Sequence, residues 1–356
     1  MRLAIVGVGL IGGSIGLAAR ERLDAGVTGF DHSSEALAAA RRRGAIDAAA
    51  GSLEEAVEGA EAVFVAVPVG TLCDVAAAAL EAAAEDCVIT DVGSTKRAVV
   101  GALADPRFVG GHPLAGAETS GVEHARSDLF DGATWYLTPT GHTSGVLYER
   151  VYRLIHRLGA KPTAIDPATH DSILASVSHL PHVLANVLVA QAAGTLDAGE
   201  VPLPATGPSF RDATRVAGAS SSIWTDIYMS NRDALAAQID ETIARLNDVR
   251  AALAQGDAST ITDWNDAAAG DRRRLLEAQL AGGDLFELRV SVPNRPGVIA
   301  RMALELARAG VNITDMALYP TADMSEGVVA LWLAGEEAAL RAQELVGELG
   351  FPVARA

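Results

Sequence analysis

The stretch Arg2-Leu-Ala-Ile-Val-Gly7-Val-Gly9-Leu-Ile-Gly12 joins a short β-branched run to a Gly-x-Gly-x-x-Gly pattern. The run predicts a buried parallel strand, and the Ala/Leu-rich segment 13–21 after it predicts a helix. Gly7 permits the tight turn between them, and Gly9 lets the backbone approach a pyrophosphate. Gly12 allows the helix to pack closely on the strand. The stretch therefore predicts a dinucleotide-binding βαβ unit.

Two further features of this unit indicate which dinucleotide it holds. Leu10 and Ile11 lie at the start of the helix, where backbone N–H groups and partial positive charge favour phosphates. A second predicted strand, 26–30, ends at Asp31, about 20 residues after the glycines, where a carboxylate can accept both ribose hydroxyls. Because Asp31 would repel a 2′-phosphate and the following His32-Ser-Ser34 contains no Arg, the sequence favours NAD over NADP.

The composition limits the number of domains and the classes of partner. A chain of 356 residues predicts two or three domains. Hydrophobic residues make up 49% of the chain and aromatic residues 4%, so the core is built from Ala, Val, Leu and Ile. The formal net charge of −17 argues against nucleic acid or an anionic membrane as a partner. A local cluster of Arg, Lys and His is therefore informative, because an anionic substrate needs one.

The cysteines and the most apolar segment bear on the cellular compartment. Cys73 and Cys87 do not form a Cys-x-x-Cys pair and are predicted to be buried, reduced thiols. A strand begins at Arg2, so no signal peptide is predicted. The most apolar helix, around 183–193, is interrupted by an Asn and a Gln and is predicted to be too short to span a bilayer. We therefore expect a cytoplasmic protein.

The order of elements predicts three domains. Residues 1–167 alternate strand and helix, which predicts an α/β Rossmann-type domain with a parallel, doubly wound sheet. Residues 168–280 form long helices, predicted to be a substrate and dimerisation domain, although burial inside one subunit would give the same pattern. After a Gly-rich hinge at 281–284, residues 285–356 follow the β-α-β-β-α-β order of a ferredoxin-like domain.

Two polar residues follow predicted strands of the first domain, where ligands bind doubly wound sheets. His112 lies among glycines and can accept a proton near neutral pH, which makes it the best candidate for a catalytic base, with a structural role as the alternative. Ser94, together with Thr95 and Lys96, can bond the same substrate hydroxyl. Ser94 can also cap the helix that follows, and the two roles are compatible.

A second group of polar residues lies on the first long helix. Asp171, Ser178 and His182 recur at helical spacing and predict one polar face toward a site or a partner. His179 is predicted to lie on a different face and to be structural. The His179/His182 pair has no carboxylate at helical spacing beside it, so no metal is predicted.

The segment Ser209-Phe-Arg-Asp-Ala-Thr-Arg215 offers cations to an anionic substrate. Arg215 or Arg211 can bind a carboxylate through two hydrogen bonds, with Asp212 orienting one of them. A surface ion pair is the alternative. Trp224 is predicted to lie either in the core or in the pocket wall.

Several motifs together resemble the prephenate/arogenate dehydrogenase (TyrA) family over about residues 1–280. They are Val6-Gly-Val-Gly-Leu-Ile-Gly-Gly-Ser14, Thr90-Asp-Val-Gly-Ser-Thr-Lys96, Gly110-Gly-His-Pro-Leu-Ala-Gly-Ala-Glu118, Ser178-His-Leu-Pro-His182 and Phe210-Arg-Asp-Ala-Thr-Arg215. The segments Pro293-Asn-Arg-Pro-Gly297 and Gly310-Val-Asn-Ile-Thr314 resemble an ACT domain, a module that commonly binds amino acids as allosteric effectors.

The resemblance implies a role for each matching residue. His112 would hydrogen-bond the substrate's ring hydroxyl and accept its proton, assisted by Ser94. Arg215 would bind a substrate carboxylate, and His182 would contact the side chain. Supporting positions around the pocket would be Glu118, Asp171, Asp212 and Trp224. An amino-acid effector such as tyrosine would contact Asn294, Pro296, Gly297, Asn312 and Ile313. The family also implies a homodimer.

The implied activity is NAD-dependent oxidative decarboxylation of prephenate to 4-hydroxyphenylpyruvate, in tyrosine biosynthesis. Its nearest alternative is arogenate dehydrogenase, which gives tyrosine, and no residue decides between a keto group and an ammonium on the substrate. A non-catalytic sensor of NAD and amino acids, and a dehydrogenase of a different small acid, are further alternatives. The presence of both His112 and Arg215 argues against the sensor.

Overall fold

The computed structural model describes residues 1–116, 119–197, 206–279, 285–293, 295, 298–321 and 325–355. The chain divides into two compact units. The first contains residues 1–202 and 214–242, and the second contains 203–213 and 243–356. The three-domain division with boundaries near 167 and 280 stays a prediction.

The first unit contains an eight-stranded sheet with the order β3-β2-β1-β4-β5-β6-β7-β8. Its strands are β1 Arg2–Val6, β2 Gly26–Phe30, β3 Ala48–Ala49, β4 Ala62–Val65, β5 Val88–Asp91, β6 Phe108–Pro113, β7 Thr134–Thr138 and β8 Lys161–Ala164. The first six pair in parallel and the chain crosses from β3 on one side to β4 on the other, which is the doubly wound order predicted.

The last two strands depart from the predicted parallel arrangement. β7 pairs with β6 in antiparallel orientation, and β8 is parallel to β7. A parallel crossover is usually made by a helix that carries the chain back over the sheet. Among the described residues between β6 and β7, the connection contains only the one-turn 3-10 helix Val122–His124. The chain therefore returns beside β6 in the opposite direction.

Helices cover both faces of this sheet. They are α1 Leu10–Leu23, α2 Ser34–Arg42, α3 Leu53–Val57, α4 Val69–Ala82, α5 Arg97–Ala102 and α6 Gly145–Arg157. One core cluster includes Ile5, Phe64 and Trp135, and a second, on the other face, includes Val63 and Ile89. Ser33 caps α2 and Ser52 caps α3, because each side chain accepts a hydrogen bond from the backbone amide of the third residue after it.

A long helical run follows β8. It consists of α7 Pro167–Leu174, the π-turn Ala175–His179 and α8 Leu180–Asp197. Residues 167–194 form a helix of 28 residues that is long and apolar enough to cross a membrane by length and composition alone. The prediction that the apolar helix is too short is therefore wrong, because the helix continues through the His-rich segment. Buried His170 and Asp171 lie within it.

Further helices are α9 Pro208–Thr214, α10 Ser221–Ser230, α11 Arg232–Gln255 and α12 Ala258–Gln279. The second unit then contains β9 Leu285–Pro293, α13 Val298–Arg308, β10 Ile313–Pro320, β11 Glu326–Ala334, α14 Glu336–Glu348 and β12 Val353–Arg355. Its antiparallel sheet has the order β10-β11-β9-β12, and the predicted ferredoxin-like order is confirmed. Its core joins the sheet to α13 and α14 through residues such as Val290, Leu331, Met302 and Val346.

The predicted effector residues lie in this second unit. Asn294, Pro296 and Gly297 lie outside the described residues. Asn312 is exposed directly before β10, and Ile313 is the first residue of that strand and is half-buried. Their contact with an effector stays a prediction.

Candidate active site

The glycine-rich turn between β1 and α1 has the geometry of a phosphate cradle. Gly7 has φ 93°, and a Cβ on it would overlap the carbonyl oxygen of Ala66. A Cβ on Gly12 would overlap the carbonyl oxygen of Gly7, so helix and turn are packed too closely for any larger residue. A Cβ on Gly9, in contrast, would meet nothing within 4 Å. The space beside Gly9 is therefore open to a ligand.

The first turn of α1 has backbone N–H groups that can donate hydrogen bonds to a ligand in this open space. Gly9 is its N-cap and provides no side-chain hydrogen bond. Leu10 and Ile11 are the first two helical residues, and amides in this position have no partner within the helix. They can bind a diphosphate, aided by the partial positive charge of the helix N-terminus.

Asp31 is fixed at the carboxyl end of β2. Its Oδ2 accepts a hydrogen bond from the amide of Val8 at 3.0 Å, and its Oδ1 accepts one from the amide of Ser33 at 2.8 Å. An ionised carboxylate has about four acceptor sites, so capacity remains for two ribose hydroxyls. The glycine cradle, the helix amides and this carboxylate fit a dinucleotide such as NAD.

His112 lies near the end of β6, where close packing against β5 holds the strand. The amide of Gly111 donates to Asp91 Oδ1 at 3.0 Å. A Cβ on Gly111 would lie 2.6 Å from the carbonyl oxygen of Asp91 and 2.8 Å from Thr90 Oγ1, so only glycine fits without a shift. The two strands thus fix the backbone that carries the His112 imidazole, which is buried.

The His112 ring continues into a buried chain of hydrogen bonds. Its Nδ1 lies 2.9 Å from Nε2 of His170, whose Nδ1 lies 2.8 Å from Oδ1 of Asp171. Asp171 also accepts the backbone amides of Lys96 at 2.7 Å and Arg97 at 2.9 Å. Burial raises the pKa of Asp171, but the hydrogen bonds from His170 and from these amides outweigh it, so the pKa is lowered and the carboxylate is charged.

The surroundings of His112 keep its imidazole neutral. Burial lowers its pKa well below the ordinary value of 6.5, and the neighbouring His170, Lys96 and His179 lower it further. A neutral imidazole has one ring nitrogen without a proton. His112 can therefore accept a proton from a substrate hydroxyl at neutral pH.

Asp91 and Lys96 form a fully buried ion pair below this histidine. Asp91 accepts hydrogen bonds from Lys96 Nζ, from the amide of Gly93 at 2.8 Å and from the amide of Gly111. Burial lowers the pKa of Lys96 despite the attraction of Asp91. Lys96 was predicted to assist at the substrate hydroxyl, but its ammonium is bound to Asp91 instead.

Two other predictions in this loop are also corrected. Thr95 is buried, with its Oγ1 2.8 Å from Ser230 Oγ, so it joins the loop to α10. Ser94 does not cap α5, because that helix begins at Arg97 with Lys96 as N-cap. The carboxylate of Asp171 takes the capping role. Ser94 is half-buried after β5, and its catalytic role stays a prediction.

The π-turn changes which residues of the long helix face inward. His179 is buried on the side of Asp171, not on the different face predicted. A π-turn contains more residues than an α-turn, so His179 rotates back toward the face that carries Asp171. Its Nδ1 lies 3.2 Å from Nδ2 of Asn231, which also donates to the carbonyl oxygen of Asp171 at 2.7 Å. Burial lowers the pKa of His179 to about 4.

The aromatic residues on α10 line the same region. Trp224 stacks on His182, with ring centroids 3.4 Å apart, and approaches His179 edge-on at 6.2 Å. The structure thus brings together His182 and Trp224, which lie in separate segments of the sequence. Ser178 beside them is half-buried.

The other residues predicted for the substrate site are exposed or lie outside the described residues. Arg215 is exposed directly after α9, in the same compact unit as His112. Arg211 and Asp212 are exposed on α9 and belong to the other unit. Glu118 lies outside the described residues. Across the described residues, no group of three or more His, Cys, Asp or Glu could hold a metal ion.

Comparison with known proteins places the chain in a family. Residues 15–164 match the family described as "Prephenate dehydrogenase, nucleotide-binding domain", and residues 166–265 match "Prephenate dehydrogenase, dimerization domain". Residues 286–330 match "ACT domain". The prephenate dehydrogenase of Bacillus subtilis (strain 168) is 33% identical over 97% of this chain and 95% of its own length. The chain belongs to the prephenate dehydrogenase family.

Other family members and solved structures agree with this placement. A cyclohexadienyl dehydrogenase of Zymomonas mobilis is 34% identical over 73% of this chain and 91% of its own. The crystal structure of prephenate dehydrogenase from A. aeolicus in complex with hydroxyphenyl propionate and NAD+ is 30% identical, with a TM-score of 0.71 over 77% of this chain and 98% of its own. Synechocystis arogenate dehydrogenase is 25% identical, with a TM-score of 0.67 over 77% of this chain and 100% of its own.

Proposed function

We propose that this chain is an NAD-dependent prephenate dehydrogenase, which converts prephenate and NAD⁺ to 4-hydroxyphenylpyruvate, CO2 and NADH. The observation that carries the proposal is a buried, neutral His112 at the carboxyl end of β6, in the same sheet as the glycine cradle and Asp31. Membership of the prephenate dehydrogenase family supports it.

The reaction needs a base that holds one proton and then returns it. NAD, when bound at the cradle, supplies the acceptor for the hydride from the hydroxyl-bearing carbon. The hydroxyl proton passes to His112 as that carbon is oxidised, and loss of CO2 leaves the bonding pair to the ring, which becomes aromatic. The ring oxygen then takes the proton back as a phenol. Because aromatisation drives the reaction, the protein chiefly orients the substrate and places charges around it.

The substrate roles of the other residues are part of the proposal. Arg215 binds one carboxylate of the substrate, and Ser94 assists His112 at the hydroxyl. His182, stacked on Trp224, contacts the substrate side chain. Glu118, Asp171 and Asp212 support the pocket.

Arogenate is the second candidate substrate. An arogenate dehydrogenase is among the similar solved structures, and a cyclohexadienyl dehydrogenase is among the relatives. The two substrates differ in a keto group and an ammonium on the side chain. His182, whose pKa burial lowers, is uncharged near neutral pH and does not select strongly between them.

Steady-state kinetics with each substrate and each of NAD⁺ and NADP⁺ tests these assignments. We expect turnover of prephenate with NAD⁺, with little use of NADP⁺ because of Asp31. His112→Asn should keep its affinity for NAD and lose about 10²-fold or more in kcat. Arg215→Ala should chiefly raise the KM for the anion, while exposed His156→Asn on α6 serves as a control. Tight NAD binding without turnover of either substrate would instead indicate a sensor.

The assembly and regulation follow the same proposal. The helical region carries exposed apolar side chains, such as Val177 and Val187 at 65% and 52% exposure, which fit a homodimer interface. The match to a dimerization domain supports this. The ACT domain is proposed to bind an amino-acid effector, tyrosine, and the enzyme to work in the cytoplasm.

A further inference from the structure

His170 is a buried histidine to which the proposed reaction gives no task. It is wholly inaccessible to solvent and lies between two groups of the site. Its two ring nitrogens face His112 Nδ1 at 2.9 Å and Asp171 Oδ1 at 2.8 Å. The ring of Tyr136, on β7, approaches it edge-on at 5.6 Å. The position is therefore fixed on several sides.

The positions of the protons along this chain of hydrogen bonds follow from the end formed by Asp171. Asp171 is charged and accepts hydrogen bonds only, from the amides of Lys96 and Arg97 and from His170. His170 therefore carries a proton on Nδ1, and with a single proton on the ring its Nε2 is left as an acceptor. His112 Nδ1 must then donate to that nitrogen. A neutral His112 has no second proton, so its Nε2 carries a lone pair.

We propose that His170, held by Asp171, is a positioning residue that fixes His112 in the Nδ1–H tautomer and leaves Nε2 to accept the substrate's hydroxyl proton. This proposal rests on the proposed function of His112. In the reaction the substrate O–H bond breaks and an Nε2–H bond forms. The positive charge on His112 is then stabilised through Nδ1–H and His170 toward the Asp171 carboxylate. After CO2 leaves, the Nε2–H bond breaks and the proton passes to the phenolate oxygen, which gives the phenol.

Two substitutions separate positioning from packing. In His170→Gln the side-chain carbonyl can accept from His112 Nδ1 but cannot be protonated. In His170→Leu nothing accepts that proton. We expect His170→Leu to lose about 10²-fold in kcat at unchanged NAD affinity, and His170→Gln to stay within about tenfold of wild type because its carbonyl still accepts the His112 proton. Exposed Ser172→Ala on the same helix is the matched control. Equal losses of kcat in both His170 variants would overturn the proposal.

A measurement that does not depend on turnover completes the test. Long-range ¹H–¹⁵N NMR of histidine-labelled full-length protein, with His112→Asn used for assignment, reports which nitrogen of His112 is protonated. We expect Nδ1–H in the wild type and in His170→Gln, and loss of that preference in His170→Leu. An Nε2–H tautomer of His112 in the wild type would refute the positioning role of His170, even in an enzyme that oxidises prephenate. An Nδ1–H tautomer in a protein that oxidises no prephenate would refute the proposed function alone.

Discussion

His179 couples the stability of the protein to pH. Burial lowers its pKa to about 4, helped by His170 and His182 and opposed by Asp171. The unfolded chain takes up this proton below about pH 6.5, whereas the folded chain stays neutral until about pH 4. Because the unfolded state binds more protons in this window, stability is lost as the pH falls through it. The full effect is on the order of 3 kcal/mol at one site.

Urea unfolding at about pH 7.5 and about pH 4.5 measures this effect. We expect the free energy of unfolding to fall less between the two pH values in His179→Asn than in the wild type. His156→Asn, at an exposed histidine, should fall as much as the wild type. An identical fall in all three proteins would contradict the assignment. Carboxylates with lowered pKa values, such as Asp171, lose their contribution at lower pH and do not share this window.

The sequence predicted individual residues best where their neighbours along the chain determine them. Asp31 and His112 follow predicted strands, and the structure places both at carboxyl ends of strands, while Gly9 is the N-cap of the predicted helix. Asn231, which bonds both His179 and the Asp171 backbone, has no local pattern that marks it. The adjacent pair His170-Asp171 was visible in the sequence, but its link to His112 spans 58 residues and required the fold.

At the scale of an element, two glycines at the turn between β1 and α1 have different roles, one in NAD binding and one in stability. Gly9 has open space where a Cβ would lie, whereas Gly12 packs against the backbone of Gly7. We expect Gly9→Ala to weaken NAD binding by about 1–3 kcal/mol, since the pyrophosphate can no longer approach its amides, with little change in Tm. Gly12→Ala should destabilise the protein by about 1–3 kcal/mol through overpacking.

Calorimetric titration with NAD and thermal unfolding of the free protein distinguish the two variants. Gly26→Ala is a suitable control, because a Cβ there also meets nothing within 4 Å and the residue lies at the start of β2. If Gly9→Ala bound NAD as tightly as the wild type, the cradle would lie elsewhere. A Gly12→Ala variant with unchanged Tm would contradict the close packing.

Elements were predicted well where a local pattern of apolar residues and glycines marks them, as at β1, α1 and β2. The sequence missed the reversal at β7, because strand direction depends on how the connection crosses the sheet and not on the strand's own residues. It also missed the π-turn, since one extra residue in a helical turn leaves the apolar pattern nearly unchanged. That turn nonetheless decides that His179 faces Asp171 and Asn231.

At the scale of the whole molecule, the apolar helical run could be covered either by a membrane or by a second copy of the chain. By length and composition, residues 167–194 could cross a bilayer. Only 22% of the most apolar window is buried within one chain, so most of that window is left uncovered. The same helix carries His170 and Asp171, which are committed to the buried hydrogen bonds of the site. A membrane-spanning position would leave those groups without their partners, at high cost. The homodimer interface proposed above would cover the apolar surface without that cost.

The second unit should make the enzyme responsive to tyrosine. Asn312 is exposed between α13 and β10, in the segment that resembles the effector loops of ACT domains. We expect L-tyrosine to inhibit the full-length enzyme, and Asn312→Ala to raise the inhibition constant about tenfold, which corresponds to about 1.4 kcal/mol of lost binding. The kcat and KM measured without tyrosine should not change, because the substituted side chain belongs to the segment that matches an ACT domain. Steady-state inhibition curves with exposed Glu337→Ala on α14 as the control measure this directly. Inhibition that survives Asn312→Ala, and also survives truncation before Leu285, would place tyrosine in the active site as a competitor of the substrate.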